Sequence, residues 1–174
     1  MIFVLVGLVF AACFGFVVAF GAPYVPSLRR DLEPALDKLY QVSPKDTVID
    51  VGCGDGVVLR AVAKRGGRAI GYEINPVLFL LAKVLSRKDR LVQVKLQSFW
   101  SAQFPASTTL VYAFTVSRDN KRLASKLQNE ANRLHKTLHL LSYGIDISSA
   151  DKVNQAGAYQ LYRFTPLHKQ KPQV

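Results

Sequence analysis

Two short apolar runs in this chain each end on an acidic residue, and the residue types that follow them are those of a ligand site. Val48-Ile49-Asp50-Val51 leads into Gly52-Cys53-Gly54-Asp55-Gly56. Further on, Gly71-Tyr72-Glu73 leads into Ile74-Asn75-Pro76. The runs have the length and composition of buried strands in a parallel sheet, and ligands bind beyond the carboxyl ends of such strands. Gly52, Gly54 and Gly56 let the backbone turn tightly and leave no β carbon between it and a ligand. Glu73 is placed to accept hydrogen bonds from two ribose hydroxyls. The expected ligand is therefore a nucleoside-containing molecule.

The elements that must position these residues alternate in type. Leu28 to Tyr40 reads as an amphipathic helix, with Leu28, Leu32, Leu36 and Leu39 on one face. Strands are expected over Thr47–Val51, Arg68–Tyr72, Leu91–Leu96, Thr109–Val116 and Thr137–Tyr143, with a last one near Ala158–Phe164. Helices are expected from Gly56 to Lys64, from Asn75-Pro76 to Ser86, and over Asp119–Lys136. This βα alternation predicts an α/β fold with a Rossmann-like, doubly wound, mainly parallel sheet over residues 47–167.

The glycine spacing discriminates between nucleoside ligands. A dinucleotide fingerprint is G-x-G-x-x-G, and here Val57 stands where its third glycine belongs. No phosphate-binding lysine follows either, since the residues after Gly56 are Val57, Val58, Leu59 and Arg60. The G-x-G-x-G form, with Asp50 two residues before the first glycine, resembles the S-adenosylmethionine loop of class I methyltransferases. That resemblance implies S-adenosyl-L-methionine as cofactor. It also implies that Asp50, Gly52, Cys53, Gly54, Asp55 and Gly56 face its amino-acid part, and that Glu73, Ile74 and Asn75 lie by the ribose.

The chain has 174 residues, 23 of them basic and 12 acidic, for a net charge of +11. Such a bias favours anionic surroundings, either nucleic acid or a lipid headgroup surface. Residues 1–22 carry no charged side chain, and as a helix they would reach about 33 Å, enough to span a bilayer core. A secretory signal peptide needs a basic region before its apolar stretch, and none is present here. The expectation is a single N-terminal transmembrane helix followed by a linker and amphipathic helix over residues 23–46. Arg29, Arg30, Lys38 and Lys45 then place the folded domain on the cytoplasmic or matrix-equivalent side. Residues 168–174 form a basic tail. Cys13 and Cys53 read as small buried residues. His135 and His139 are four apart with no intervening H-E-x-x-H acid, so no metal site is expected.

The apolar N-terminal stretch, Pro23-Tyr24-Val25-Pro26-Ser27 after it, the Asp50–Gly56 loop and Gly71-Tyr72-Glu73-Ile74-Asn75-Pro76 together have a narrower likeness. They resemble the small membrane-anchored protein-lysine methyltransferases whose mitochondrial members modify the ATP synthase c subunit and the adenine nucleotide translocase. Where that family carries a motif close to Asp-Leu-Trp after strand three, this chain has Ser98-Phe99-Trp100. The resemblance implies adenine contact through Gln97 or Ser98, and a membrane-associated protein as methyl acceptor. For a lysine acceptor the candidate catalytic residues are Tyr24, Trp100 and Tyr143, with Asp119 or Asp146 as proton partner. The alternatives are a methyltransferase for a small molecule or lipid, and an inactive cofactor-binding module. A nucleic-acid methyltransferase rests on net charge alone, because the Asn/Asp-Pro-Pro-Tyr tetrad is absent after strand four.

Overall fold

The computed structural model describes residues 29–114, 119–144, 146–147 and 149–167, together with Val4 and Gly7. Helix α1 is Arg29–Lys38, strand β1 Thr47–Asp50, α2 Val57–Lys64, β2 Arg68–Glu73, α3 Pro76–Leu85 and β3 Val92–Leu96. Strand β4 is Leu110–Ala113, α4 Asn120–Leu134, β5 Leu138–Tyr143, β6 Asp151–Ala156 and β7 Tyr159–Phe164. The strands form one sheet in the order β3-β2-β1-β4-β5-β7-β6. β1 to β5 run parallel, while β7 lies antiparallel to β5 and β6 antiparallel to β7. The order reverses between β1 and β4, which opens a crevice beyond their carboxyl ends.

Alternation along the strands feeds two apolar clusters. Val48, Ala69 and Leu110 face one side, where α1 supplies Leu32 and Leu36 and α2 supplies Leu59 and Val62. Ile49, Ile70 and Val111 face the other, beneath Leu123, Leu127 and Ala131 of α4. Polar ties then set the helices. Arg65 bonds Glu33 at 2.6 Å and Asp37 at 2.7 Å, holding α1 to the end of α2. In α4 the buried Glu130 accepts from Lys126 at 2.9 Å, from the Phe104 amide at 3.2 Å and from Arg133. Burial alone would raise the Glu130 pKa, but the bonds from Arg133, Lys126 and Phe104 outweigh it and hold the carboxyl below its ordinary value.

One close approach governs the glycine loop. A β carbon on Gly71 of β2 would lie 2.6 Å from Cys53 Sγ, 2.7 Å from Cys53 Cβ and 2.6 Å from Leu59 Cδ1. Gly71 thus makes room for the loop and the first turn of α2 on the neighbouring strand, the kind of helix-on-strand fit that the third glycine gives in dinucleotide folds.

Several expectations are corrected. The sheet is mixed rather than mainly parallel in its last two strands. β6 was not expected, and the reason is physical: all six of its residues are exposed, so no apolar alternation marks it. Its hairpin to β7 turns at Gly157, where φ is +58°. His135 ends α4 in the left-handed region, and His139 lies in β5, within the expected strand.

The membrane anchor is not supported. Among the described residues no helix is long and apolar enough to cross a membrane. The longest has 15 residues, about 22 Å, and carries charge along its length. The expected span over residues 1–22 lies outside the described residues apart from Val4 and Gly7. The location on the cytoplasmic or matrix-equivalent side rested on that span and falls with it. Tyr24, Thr115–Arg118 and the basic tail also lie outside the described residues.

Gly71→Ala is expected to lower unfolding free energy by about 1–3 kcal/mol through overpacking, read as a fall in the chemical denaturation midpoint. A change under about 0.5 kcal/mol would show that the Cys53 and Leu59 contacts yield freely.

Candidate functional site

The carboxyl ends of β1 and β2 are bonded together above the sheet. Cys53 N–H donates to the Tyr72 carbonyl at 3.1 Å, and Gly54 N–H donates to Glu73 Oε2 at 2.9 Å. The other Glu73 oxygen, Oε1, accepts from the amides of Ile74 and Asn75, both at 2.8 Å. Its backbone carbonyl accepts from Gln97 N–H at 3.0 Å, which joins the end of β3 to the group. On the far side, Val51 N–H donates to the Tyr112 carbonyl of β4 at 3.2 Å. Asp50, Gly52–Gly56, Glu73, Asn75 and Gln97 therefore meet along one crevice, although they come from three strand ends.

Glu73 is 8% exposed. An ionised carboxylate offers about four acceptor positions, and three backbone amides occupy three of them. One ribose hydroxyl fits this arrangement.

The loop closes on itself where Gly56 N–H donates to the Cys53 carbonyl at 2.7 Å. Gly56 then opens α2 at φ +78°, a conformation other residues resist. Asp55 accepts from Val57 N–H at 3.1 Å and faces Arg60 at 3.4 Å, while Arg60 also donates to the Asp55 carbonyl at 2.6 Å. Its carboxylate thus anchors the start of the helix. Asn75 does the same for α3, its Oδ1 accepting from Val77 at 2.9 Å and Leu78 at 3.3 Å. Ile74 is exposed between them. A β carbon on Gly52 would meet nothing within 4 Å. The inner wall of the crevice is backbone and the space in front of it is open, as close approach of a ligand requires.

Burial, then the charge of Glu73, pushes the Asp50 carboxyl up to about 8, against an opposing bond from the Gly52 amide. A cation entering the crevice would relieve this strain. The same burial, with the charges of Asp50 and Glu73, raises the Cys53 thiol well above its ordinary range, so Cys53 packs and does not react.

The remaining candidates make contacts of their own. Trp100 packs at 4.1 Å from the Phe99 ring, with the Arg122 guanidinium 4.1 Å over its face. Asp119 stands at the N-cap position of α4, where its side chain makes no capping bond. Ser98 is half-buried in the turn after β3, its carbonyl accepting from Ser101 at 3.1 Å. Asp146 is bonded to Tyr162 at 2.8 Å and Lys152 at 2.9 Å, and Lys152 holds its carboxyl below the ordinary value, making it a weak base. Sequence reasoning missed the role of Gly71 and the Arg122–Trp100 contact. The first had a signal in a glycine inside an apolar strand. The second had none, because its partners are distant in sequence.

Comparison with known proteins agrees with this geometry. Residues 50–151 match the family described as the ANTKMT methyltransferase domain. A lysine N-methyltransferase of the ATP synthase c subunit, from Xenopus laevis, is 31% identical over 111 residues, covering 62% of this chain and 48% of that protein. A protein-lysine N-methyltransferase of Saccharolobus islandicus is 29% identical over 113 residues, covering 62% of this chain and 69% of that protein. The matched segment thus spans about half the length of the Xenopus relative. Among solved structures, an RNA methyltransferase from Salinibacter ruber in complex with S-adenosyl-L-homocysteine shares the fold. Its TM-score is 0.69 at 23% identity, covering 86% of this chain and 98% of that one. The glycine loop tied to a strand-end glutamate belongs, on these grounds, to a Rossmann-like methyltransferase fold whose cofactor is S-adenosyl-L-methionine, and the chain is a member of the ANTKMT methyltransferase-domain family.

Proposed function

We propose that this chain transfers a methyl group from S-adenosylmethionine to the side-chain nitrogen of a lysine in a protein. The observation that supports it most is the preformed crevice, in which Glu73 holds the Gly54 amide at 2.9 Å while Gly52 leaves the approach open. The lysine acceptor is supported by the relatives, which are lysine N-methyltransferases.

When bound, the cofactor supplies a methyl on a cationic sulfur, which an amine lone pair takes as the C–S electron pair returns to sulfur. The chain's own residues bind and orient. Glu73 accepts a ribose hydroxyl at its remaining position. Asp50, buried and pushed up in pKa, faces the ammonium of the amino-acid part. Ile74 offers an apolar surface to the adenine, and Gln97 and Ser98 flank it at the end of β3. Positioning of this kind contributes about 7–11 kcal/mol to lowering such barriers.

The direct test is calorimetric titration of the full chain with S-adenosylhomocysteine, NAD serving as control. Transfer of labelled methyl to the purified c subunit of ATP synthase is then measured. Micromolar binding of the first ligand alone supports the cofactor assignment, and label on a lysine supports the acceptor. Equal binding of NAD, or none of either, would sink the reading.

Gly52→Ala is expected to leave stability unchanged within about 0.5 kcal/mol, since its β carbon meets open space. It should nevertheless weaken S-adenosylhomocysteine binding at least about tenfold, the steric cost of occupying the approach. Unchanged affinity would mean the ligand lies elsewhere.

Asp50 predicts two pH effects. Its folded pKa, about 8, lies above the ordinary carboxyl value of 3.8, so between those values the folded chain holds a proton that the unfolded chain lacks. Its contribution to stability therefore declines as pH rises from about 4 to 8 and is level above that. Asp50→Asn should remove this decline. A ligand ammonium beside Asp50 favours ionisation, so binding at pH 7 should release protons, seen as a buffer-dependent calorimetric heat that vanishes in the variant. A heat independent of buffer in the parent chain would contradict the Asp50 assignment.

A further inference from the structure

Four aromatic rings from three adjacent strands run from the core to the carboxyl-end edge of the sheet. They are Tyr112 in β4, Phe114 just beyond it, Tyr143 at the end of β5 and Tyr159 at the start of β7. The Phe114 and Tyr143 rings stack at 4.9 Å and 14°. Tyr143 meets Tyr159 edge-on at 4.9 Å, and Tyr159 lies 6.4 Å from Tyr112. The ladder climbs from core to surface: Tyr112 and Tyr159 are buried, Tyr143 is half-buried and Phe114 is 37% exposed.

The register puts this ladder beside the cofactor crevice. Asp50 of β1 pairs with Tyr112 of β4, so Gly52 and Phe114 leave the sheet at the same level on neighbouring strands. Core packing accounts for Tyr112 and Tyr159. It does not account for a phenylalanine at the rim whose ring is held in a fixed stack yet open to solvent.

We propose that Phe114 and Tyr143, backed by Tyr159, form the acceptor subsite, where a lysine side chain lies with its methylenes on the Phe114 ring and its nitrogen over the aromatic faces. This rests on the methyltransferase reading above. The chemistry suits this chain in particular. A net charge of +11 repels a cationic lysine at long range. Aromatic faces attract a cation through their quadrupole without needing a carboxylate, and they hold the methylated product's stem as well as the substrate's.

The test uses the full chain with 4-fluorophenylalanine in place of Phe114, followed by fluorine NMR. Choline is the cationic probe and 3,3-dimethylbutan-1-ol its neutral isostere. The resonance should move with choline at about threefold lower concentration than with the alcohol, as a surface cation–π contact implies. Tyr143→Leu should abolish that preference. Equal response to both probes, or none to choline, would overturn the subsite. S-adenosylhomocysteine is titrated into the same sample with calorimetric readout. Its failure to bind would overturn the underlying methyltransferase reading, and this is distinguishable because the choline arm reads Phe114 alone.

Discussion

The three amide bonds accepted by the Glu73 carboxylate are the constraint on which this site depends. A glycine loop at a strand end has many conformations open to it, and ordering it for a ligand has an entropic cost. Glu73 lowers that cost before any ligand arrives, by fixing Gly54 to the end of β2 while capping the turn into α3 through Ile74 and Asn75. Gly71 permits this, since no other side chain would fit between β2 and Cys53. The loop, the second strand and the third helix are therefore bonded to one carboxylate. One carboxylate thus organises all three elements.

The electrostatics of the crevice follow from the same arrangement. Asp50 and Glu73 sit buried at neighbouring strand ends, and burial together with the Glu73 charge raises the Asp50 pKa. Such a site is poised for a ligand that brings positive charge, and S-adenosylmethionine brings both an ammonium and a sulfonium. A pyrophosphate would meet two acids at this edge. On the adjoining β4 and β5 the wall turns aromatic, which suits the stem of an amine acceptor.

Legibility in the sequence followed locality. β1, β2 and the Gly52–Gly56 loop were readable because short apolar runs, an acid and spaced glycines all act within a few residues of one another. Glu73 was readable as a site residue, but its amide partners were not, because they depend on how the loop folds back over β2. β6 left no trace, as a strand with every residue exposed has no pattern to show. Trp100 drew attention by its type, yet its surroundings are set by Arg122 on a distant helix. The uncharged run at residues 1–22 led to an anchor that no helix among the described residues supports.

Ordering of the loop in the ligand-free chain rests on Glu73. Amide hydrogen exchange of the full chain, read residue by residue without ligand, tests it most directly. Exchange is expected to be slow at Gly54, Ile74 and Asn75, and rapid at Gly54 once Glu73 is replaced by alanine, with the strands of the sheet still protected. Rapid exchange at Gly54 in the parent chain, slowed only when S-adenosylhomocysteine is added, would contradict it and assign the ordering of the loop to the ligand.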